Sequence, residues 1–275
     1  MSKTTSDTPL ILQSLKYDGA TIEVPGNVSN LSESFNGTVC SNKGDEYQIK
    51  ENILDLLGEE YEAKSLAEYS NKWDTTASLY EDVWRKNAVS FLSGEKFPWD
   101  RERELMEQCL RPRENELYLD IGCSTALYTR LLLKQAPKAR VIAMDYSMSM
   151  LKKAHDKCQE EGYPVFLLRS DAHEMPFYRG TLDGAVCGGT LNELRDPLKV
   201  LFETRRILKN NARFFIMYLL KSEAWYLRLA QSAVQTGGLN FWTLDESKEL
   251  FERSSFKVSN IERHGLVCFA CLTAA

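Results

Sequence analysis

Residues 117–126 read LYLDIGCSTA, a short apolar run that ends in an aspartate, a glycine and several small residues. Nearly continuous apolar runs of this length are typical of strands whose two faces are both covered by helices. A helical pattern follows at once, from Leu127 to Gln135. A strand, a small-residue turn and a helix in this order predict the first half of a βαβ unit.

The same alternation continues through the C-terminal half of the chain. Further strands are predicted at 140–144, 165–168, 182–187 and 212–219, and further helices at 147–161 and 195–209. Two final strands, 257–261 and 266–272, are close enough to form an antiparallel hairpin. The pattern predicts an α/β fold with a mainly parallel, Rossmann-like sheet and helices on both faces.

The N-terminal part has a different character. Residues 1–60 are rich in Ser, Asn, Gly and Thr, with short strand-like pieces, and predict a small β-rich element. Residues 61–115 are predicted to be helical, and residues 116–275 to form the α/β domain. Aromatic residues recur at helical spacing at Tyr69, Trp73, Tyr80, Trp84 and Phe91. This stripe fits either a helix face packed on a core or a lid over a substrate pocket.

Charge and hydropathy restrict the partners of this 275-residue chain. Its formal net charge is -5, and it has no clustered Lys/Arg of the kind that binds nucleic acid, so we expect no nucleic-acid partner. No apolar run reaches the roughly 18 residues that span a bilayer, and the N-terminus lacks the pattern of a leader peptide. We therefore expect a cytoplasmic protein without stable membrane insertion. The oligomeric state is not indicated.

Seven cysteines are scattered along the chain, most of them within apolar runs. Free buried thiols in a reducing compartment are the expected state. Cys268 and Cys271 have the spacing of a CxxC motif, but they lie in a strand-like run without a second pair. We interpret them as core residues of a strand.

Three aspartates follow predicted strands, at the edge where open α/β sheets bind ligands. Asp145 comes 19 residues after Ala126, the placement of an acid that accepts hydrogen bonds from ribose hydroxyls. Asp171 ends the next strand, where it can meet an adenine amino group, and Asp120 can meet the ammonium of an amino acid. A set of carboxylates suits a cationic ligand and repels a pyrophosphate. Any one of them alone fits a helix N-cap equally.

Four runs in order, at 117–132, 141–154, 167–177 and 182–209, resemble the class I methyltransferases of the quinone-biosynthesis type. The resemblance covers about residues 116–215. It implies a seven-stranded sheet with an antiparallel last strand, and S-adenosylmethionine as methyl donor.

The resemblance also implies which residues bind the cofactor. The methionine part would be held by Asp120, Gly122 and the loop with Ser124 and Thr125, and Gly188 would lie near it. For the nucleoside part the implied residues are Asp145 at the ribose, Tyr146 and Met150 on either side of the adenine, and Asp171 with Ala172 at its edge.

The loop departs from the family's Gly-x-Gly-x-Gly pattern, because Ser124 and Ala126 replace the second and third glycines. Glycine permits positive φ and close ligand approach, and Ser and Ala are the smallest replacements. The departure leaves open reduced cofactor affinity or a non-catalytic cofactor-binding descendant. Ser124 and Leu127 also break the GxGxxG pattern, which argues against an NAD enzyme.

A second, shorter resemblance concerns residues 35–57. They are similar to the small cysteine-paired zinc element that precedes some of these methyltransferase domains. Only Cys40 remains here, and one cysteine cannot form a four-coordinate zinc site, so we predict no metal.

The resemblance implies that an insertion at about 218–242 covers the methyl acceptor, which is predicted to occupy an apolar, aromatic-lined pocket. The residues proposed to line it are Tyr80, Trp84, Asn192, Trp225, Tyr226 and Phe241. These aromatics fit a plain hydrophobic core as well. The acceptor expected is a small lipophilic molecule: a quinone, an isoprenoid or a specialised natural product.

Methyl transfer needs a general base only when the acceptor must lose a proton. Glu193 is the candidate base, whereas His173 is expected at the surface. Positioning of an amine, a phenolate or a stabilised carbanion is the favoured mechanism, so N-, O- and C-methylation stay open. The alternatives are a cofactor-binding protein without catalysis, and non-methyl chemistry on the same fold such as a sulfonium-assisted cyclisation.

Overall fold

The computed structural model of the chain describes residues 9–16, 18–24, 36–58 and 86–275. The strands in these ranges are β1 Leu10–Gln13, β2 Thr21–Val24, β3 Gly37–Cys40, β4 Glu46–Lys50, β5 Ile53–Asp55, β6 Leu117–Ile121, β7 Arg140–Asp145, β8 Phe166–Arg169, β9 Leu182–Gly188, β10 Leu208–Leu219, β11 Phe256–His264 and β12 Val267–Ala274. The helices are α1 Lys86–Ser93, α2 Trp99–Leu110, α3 Leu127–Gln135, α4 Met148–Glu160, α5 Pro197–Ile207, α6 Trp225–Gln235 and α7 Leu244–Arg253.

One large sheet organises the molecule, with the strand order β11-β12-β10-β9-β6-β7-β8-β5-β4-β3. Strands β6 to β10 run parallel to one another, and β12 runs antiparallel to β10 and β11. The predicted α/β class and the antiparallel last strand are therefore confirmed. The predicted number of seven strands was too low, because this sheet has ten.

The three additional strands come from the N-terminal region. β5 pairs in parallel with β8, with Ile53 opposite Leu167, so N-terminal residues cover what would otherwise be an open sheet edge. Asp55, at the end of β5, forms an ion pair with Arg169 at 2.8 Å, and both side chains are largely buried. The sequence patterning missed this extension because a three-residue strand carries almost no periodic signal.

The N-terminal strands also share the main hydrophobic core. The separate hairpin of β1 and β2 buries Leu12 and Ile22 in the same cluster as Leu119 and Ile142 of the central strands. Most of the predicted aromatic stripe lies outside the described residues: Tyr69, Trp73, Tyr80 and Trp84. No helix in the described part of the chain is long and apolar enough to cross a membrane.

Cys109 and Cys271 form a disulfide that joins α2 to β12, with their Cα atoms 5.4 Å apart. The expectation of free thiols was therefore wrong for these two cysteines. Cys268 is buried and free, because side chains three apart in a strand point to opposite faces of the sheet. The sequence does not reveal this disulfide, because the two cysteines lie 162 positions apart.

Candidate active site

A cleft that is open to solvent lies at the carboxyl ends of the parallel strands. Gly122 and Ser124 line it from the loop after β6, and Asp145, Tyr146 and Met150 line it from the β7–α4 connection. This is the edge at which open α/β sheets bind ligands. The structure thus brings together residues from two separate strand ends that were predicted to share one ligand.

The remaining predicted cofactor residues divide into two groups. Asp171, Ala172 and Gly188 line the same cleft. Asp120 and Thr125 are buried and do not line it. The Oδ2 atom of Asp120 accepts hydrogen bonds from the backbone N–H and the hydroxyl of Thr129, at 3.1 and 2.8 Å, and so ties β6 to the first turn of α3.

The loop after β6 forms in spite of its missing glycines. Gly122, Ser124 and Ala126 have φ values of 64°, 50° and 62°, so all three adopt the left-handed conformation that favours glycine. That conformation costs an L-residue about 1–2 kcal/mol. The loop conformation survives these costs because the backbone N–H of Ser124 donates to Asp145 Oδ2 at 2.9 Å.

Asp145 is the buried acceptor that organises this corner of the cleft. Its second oxygen, Oδ1, accepts a hydrogen bond from the backbone N–H of Ser147 at 2.9 Å. Burial raises the pKa of Asp145 above its ordinary value, against the opposing effect of the hydrogen bonds from Ser147 and Ser124. The carboxylate is thus held in one orientation at the end of β7 by two backbone donors.

Asp171 lines the cleft and belongs to a polar cluster. It faces Nδ1 of His173 at 2.6 Å and Nη2 of Arg195 at 3.2 Å. Burial alone would raise the pKa of Asp171, but the hydrogen bonds from His173 and the charge of Arg195 outweigh it and lower the pKa to about 2. Asp171 therefore stays ionised over the whole physiological range.

His173 is buried, contrary to the expectation of a surface position. Its Nε2 atom accepts a hydrogen bond from the backbone N–H of Asp196 at 3.2 Å, so Nδ1 carries the proton that is donated to Asp171. Both ring nitrogens are engaged, which makes His173 a support for Asp171. The feature of the sequence that could have indicated this role is the position of His173, two residues after Asp171 at the end of a strand.

The four described residues among those predicted for the acceptor pocket do not line this cleft. Asn192 is buried. Its side-chain oxygen accepts a hydrogen bond from the backbone N–H of Leu219 at 2.8 Å. Its side-chain NH₂ donates to the C=O of Leu219 at 2.9 Å and to the C=O of Asn240 at 2.6 Å. Trp225 and Tyr226 are exposed on α6. Phe241 is partly buried and, like Asn192, Trp225 and Tyr226, does not line the cleft. Tyr80 and Trp84 lie outside the described residues.

Glu193, the candidate base, does line the cleft, from the 3-10 turn Thr190–Glu193 that follows β9. Thr190 was not predicted, yet it also lines the cleft and its hydroxyl donates to the C=O of Gly122 at 3.1 Å. Among the described residues, no group of three or more His, Cys, Asp or Glu side chains is arranged to hold a metal ion.

Comparison with known proteins gives the class of this fold and site. Residues 119–216 match the methyltransferase domain family. The chain is 26% identical over 239 residues to an uncharacterized chloroplastic methyltransferase of Arabidopsis thaliana, a match that covers 82% of this chain and 67% of that protein. It is 29% identical over 167 residues to the demethylmenaquinone methyltransferase of Thermotoga maritima, covering 52% of this chain and 71% of the relative.

A solved structure of a SAM-dependent methyltransferase from Aquifex aeolicus has the same fold, with a TM-score of 0.57 at 23% identity over 74% of this chain and 99% of that one. Together, the domain match, the relatives and the fold indicate an S-adenosylmethionine-dependent methyltransferase domain that includes residues 119–216. The cleft fits the nucleoside part of this cofactor, because Asp145 and Asp171 line it with carboxylates that can accept hydrogen bonds from hydroxyl and amino groups.

Ser124→Gly is expected to raise cofactor affinity severalfold and to raise Tm by a few degrees. The substitution removes the strain of a left-handed serine, about 1 kcal/mol, and keeps the backbone hydrogen bond to Asp145. Calorimetry with S-adenosylmethionine and thermal unfolding measure the two effects. Ala126→Gly is the matched control, and a smaller gain is expected because it also deletes a buried methyl group. A lower Tm for Ser124→Gly would contradict this account of the loop.

Proposed function

We propose that this enzyme transfers the methyl group of S-adenosylmethionine to a small lipophilic acceptor of the quinone, isoprenoid or related natural-product class. The observation that carries the proposal is Glu193, a carboxylate that lines the cofactor cleft without belonging to the predicted cofactor set. Similarity to a demethylmenaquinone methyltransferase supports a hydroquinone-like acceptor. A phenolic or carbon acid of this class has a proton that a carboxylate can accept.

The proposed roles of the cleft residues follow their positions. Asp145 accepts hydrogen bonds from the ribose hydroxyls, and Tyr146 and Met150 flank the adenine. Asp171, kept ionised by His173 and Arg195, meets the adenine amino group. When bound, the cofactor supplies an activated methyl carbon, so the chain contributes mainly by holding donor and acceptor in line and excluding water.

The methionine part of the cofactor is assigned to the wall between β6 and β9. Gly122 and Gly188 line this wall, and Asp120 lies directly behind it, tied to α3 by Thr129. Ala172 completes the adenine edge beside Asp171. In this arrangement Thr125, buried beneath the loop, supports the loop backbone.

Glu193→Gln is expected to leave the Kd for S-adenosylmethionine within about twofold and to lower kcat with a phenolic acceptor by about 100-fold, the lower end of the usual general-base contribution. The loss should shrink at high pH, where the acceptor ionises without help. Glu174→Gln is the matched control, since Glu174 is exposed and outside the cleft. An unchanged kcat across the pH range would show that Glu193 is not the base.

The test of the function itself has two stages. Calorimetry measures S-adenosylmethionine binding, and mass spectrometry then screens hydroquinones and prenyl compounds for products heavier by one methyl group. Binding followed by a methylated product supports the proposal.

The strained Ser124 and Ala126 favour one second candidate, a cofactor-binding protein without turnover. Tight binding with no product from any acceptor would favour that role. Conversion without a mass gain would instead indicate non-methyl chemistry on the same fold. The predicted cytoplasmic location stays a prediction, and the Arabidopsis relative is named as chloroplastic.

A further inference from the structure

Helix α6 has its apolar side turned towards solvent. Trp225, Tyr226 and Leu229 are 69%, 60% and 64% exposed, and Val234 is 45% exposed. A surface helix of a soluble protein normally buries such side chains and exposes its polar residues. On α6 the apolar side chains are exposed as well, alongside Arg228, Ser232 and Gln235.

A polar side chain, that of Gln231, connects α6 to the rest of the protein. The amide of Gln231 accepts a hydrogen bond from the backbone N–H of Ser222 at 2.8 Å and donates one to the C=O of Leu220 at 2.9 Å. These bonds tie the middle of α6 to the segment that follows β10. They fix which side of the helix faces the protein and leave the apolar side without a described partner.

The position of α6 relates this apolar side to the active-site cleft. α6 leaves the sheet directly after Leu219 and Leu220, at the carboxyl edge of β10. Asn192, the neighbour of Glu193, bonds the backbone of Leu219 before α6 and of Asn240 after it. The segment that carries α6 is therefore attached to the turn that carries the candidate base.

The exposed apolar surface of α6 is too small for a stable interface with a second protein. An 11-residue helix is about 16 Å long and about 10 Å wide, so one face covers a few hundred Å² at most. A stable protein interface needs about 800 Å² from each partner. A surface this small suits a bilayer, which requires only that the apolar side chains reach about 5–10 Å into the headgroup region.

The amino-acid composition of α6 also fits contact with a bilayer. Trp and Tyr side chains favour the membrane–water interface. Within Trp225–Gln235 the only charged residue is Arg228, and the nearby acid Glu223 is paired with Arg263 at 3.0 Å. The helix thus presents apolar side chains and one cation, which complement an anionic lipid surface.

We propose that α6 lies in the surface of an anionic lipid bilayer and brings the cleft to a membrane-dissolved acceptor. The acceptor part of this inference rests on the proposed function, whereas the membrane contact itself depends only on α6. A lipophilic acceptor partitions into the bilayer, so an enzyme docked there meets it at a higher local concentration than in water.

Vesicle sedimentation with the full chain tests the contact. The parent protein is expected to bind vesicles of phosphatidylcholine with phosphatidylglycerol, and to bind pure phosphatidylcholine more weakly. The double variant Trp225→Ser/Leu229→Ser should lower the bound fraction at least 10-fold, given the apolar area removed. Phe202→Ser, at an exposed apolar residue on α5, is the matched control and should bind as the parent does.

Tryptophan fluorescence gives an independent readout. The blue shift on adding vesicles should be largely lost in Trp225→Phe, which keeps the apolar surface but removes the reporter. Failure of the parent to bind either vesicle, or equal binding by the double variant, would overturn the proposal. So would a dimer in sedimentation velocity that the double variant abolishes.

Calorimetry with S-adenosylmethionine distinguishes a failure of the membrane contact from a failure of the proposed function. All α6 variants should bind S-adenosylmethionine as the parent does, because none of the substituted residues lines the cofactor cleft. Vesicle binding without methylation of any acceptor would leave the membrane contact intact and reject the proposed function.

Discussion

Asp145→Ala is expected to weaken S-adenosylmethionine binding by at least 100-fold. The carboxylate has two tasks in our assignment: it accepts hydrogen bonds from the ribose, and it accepts the backbone N–H groups of Ser124 and Ser147. A hydrogen bond to a charged group contributes about 1.5–3 kcal/mol, so two such losses account for the expected factor. Calorimetry at neutral pH measures the change in Kd.

Asp145→Asn is expected to give an intermediate loss of about 10-fold. The asparagine oxygen still accepts one backbone N–H, but its NH₂ group cannot accept the other. The matched control is Asp183→Asn, because Asp183 also accepts a backbone N–H, from Leu117 at 2.9 Å, and does not line the cleft. That control should lose stability and keep its affinity. A Kd within threefold of the parent for Asp145→Ala would reject the assigned site.

Gly188→Ala is expected to destabilise the protein severely. A Cβ at position 188 would lie 2.0 Å from Cε2 of Tyr128. The ring cannot retreat, because Tyr128 is buried, its hydroxyl bonds Glu102 on α2, and it packs edge-on against Phe215. Overpacking of a filled core costs about 1–3 kcal/mol and occasionally more, and we expect the upper end of this range.

Chemical denaturation measures the loss, and Gly184→Ala provides the comparison. At position 184 on the same strand an added Cβ would lie 2.9 Å from the ring of Tyr118, so a milder destabilisation is expected. The double variant Gly188→Ala/Tyr128→Leu should recover part of the stability by removing the clash. Equal stability of Gly188→Ala and the parent would mean that β9 and α3 are less closely packed than the structure shows.

The parts of the fold that sequence predicts are those with strong local patterns. The parallel strands from β6 to β10 are mainly apolar runs, and the chain order places Asp145, at the end of β7, and Asp171, just after β8, on one edge of the sheet. Asp145 was therefore identifiable from its distance to the loop. The left-handed backbone at Ser124 and Ala126 was implied by the family pattern, in which glycine stands at both positions.

The parts that sequence does not predict depend on partners far along the chain. Asn192 looked like a pocket residue because it adjoins Glu193, yet its amide is used by Leu219 and Asn240. His173 looked exposed because it lies in a loop, and its burial comes from contacts with Asp171 and Asp196. Neighbour relations of this kind leave no periodic trace in a single sequence.

The pairing of β5 with β8 has a consequence for how the chain is made. Asp55 and its partner Arg169 are separated by 114 positions, so the N-terminal strands leave the ribosome long before the strand they join has been synthesised. Until then Ile53 and Leu54, both fully buried in the finished sheet, stay accessible on the nascent chain. A shortened protein that begins after β5 would leave β8 as an unprotected edge, and we expect it to aggregate where the full chain stays dispersed.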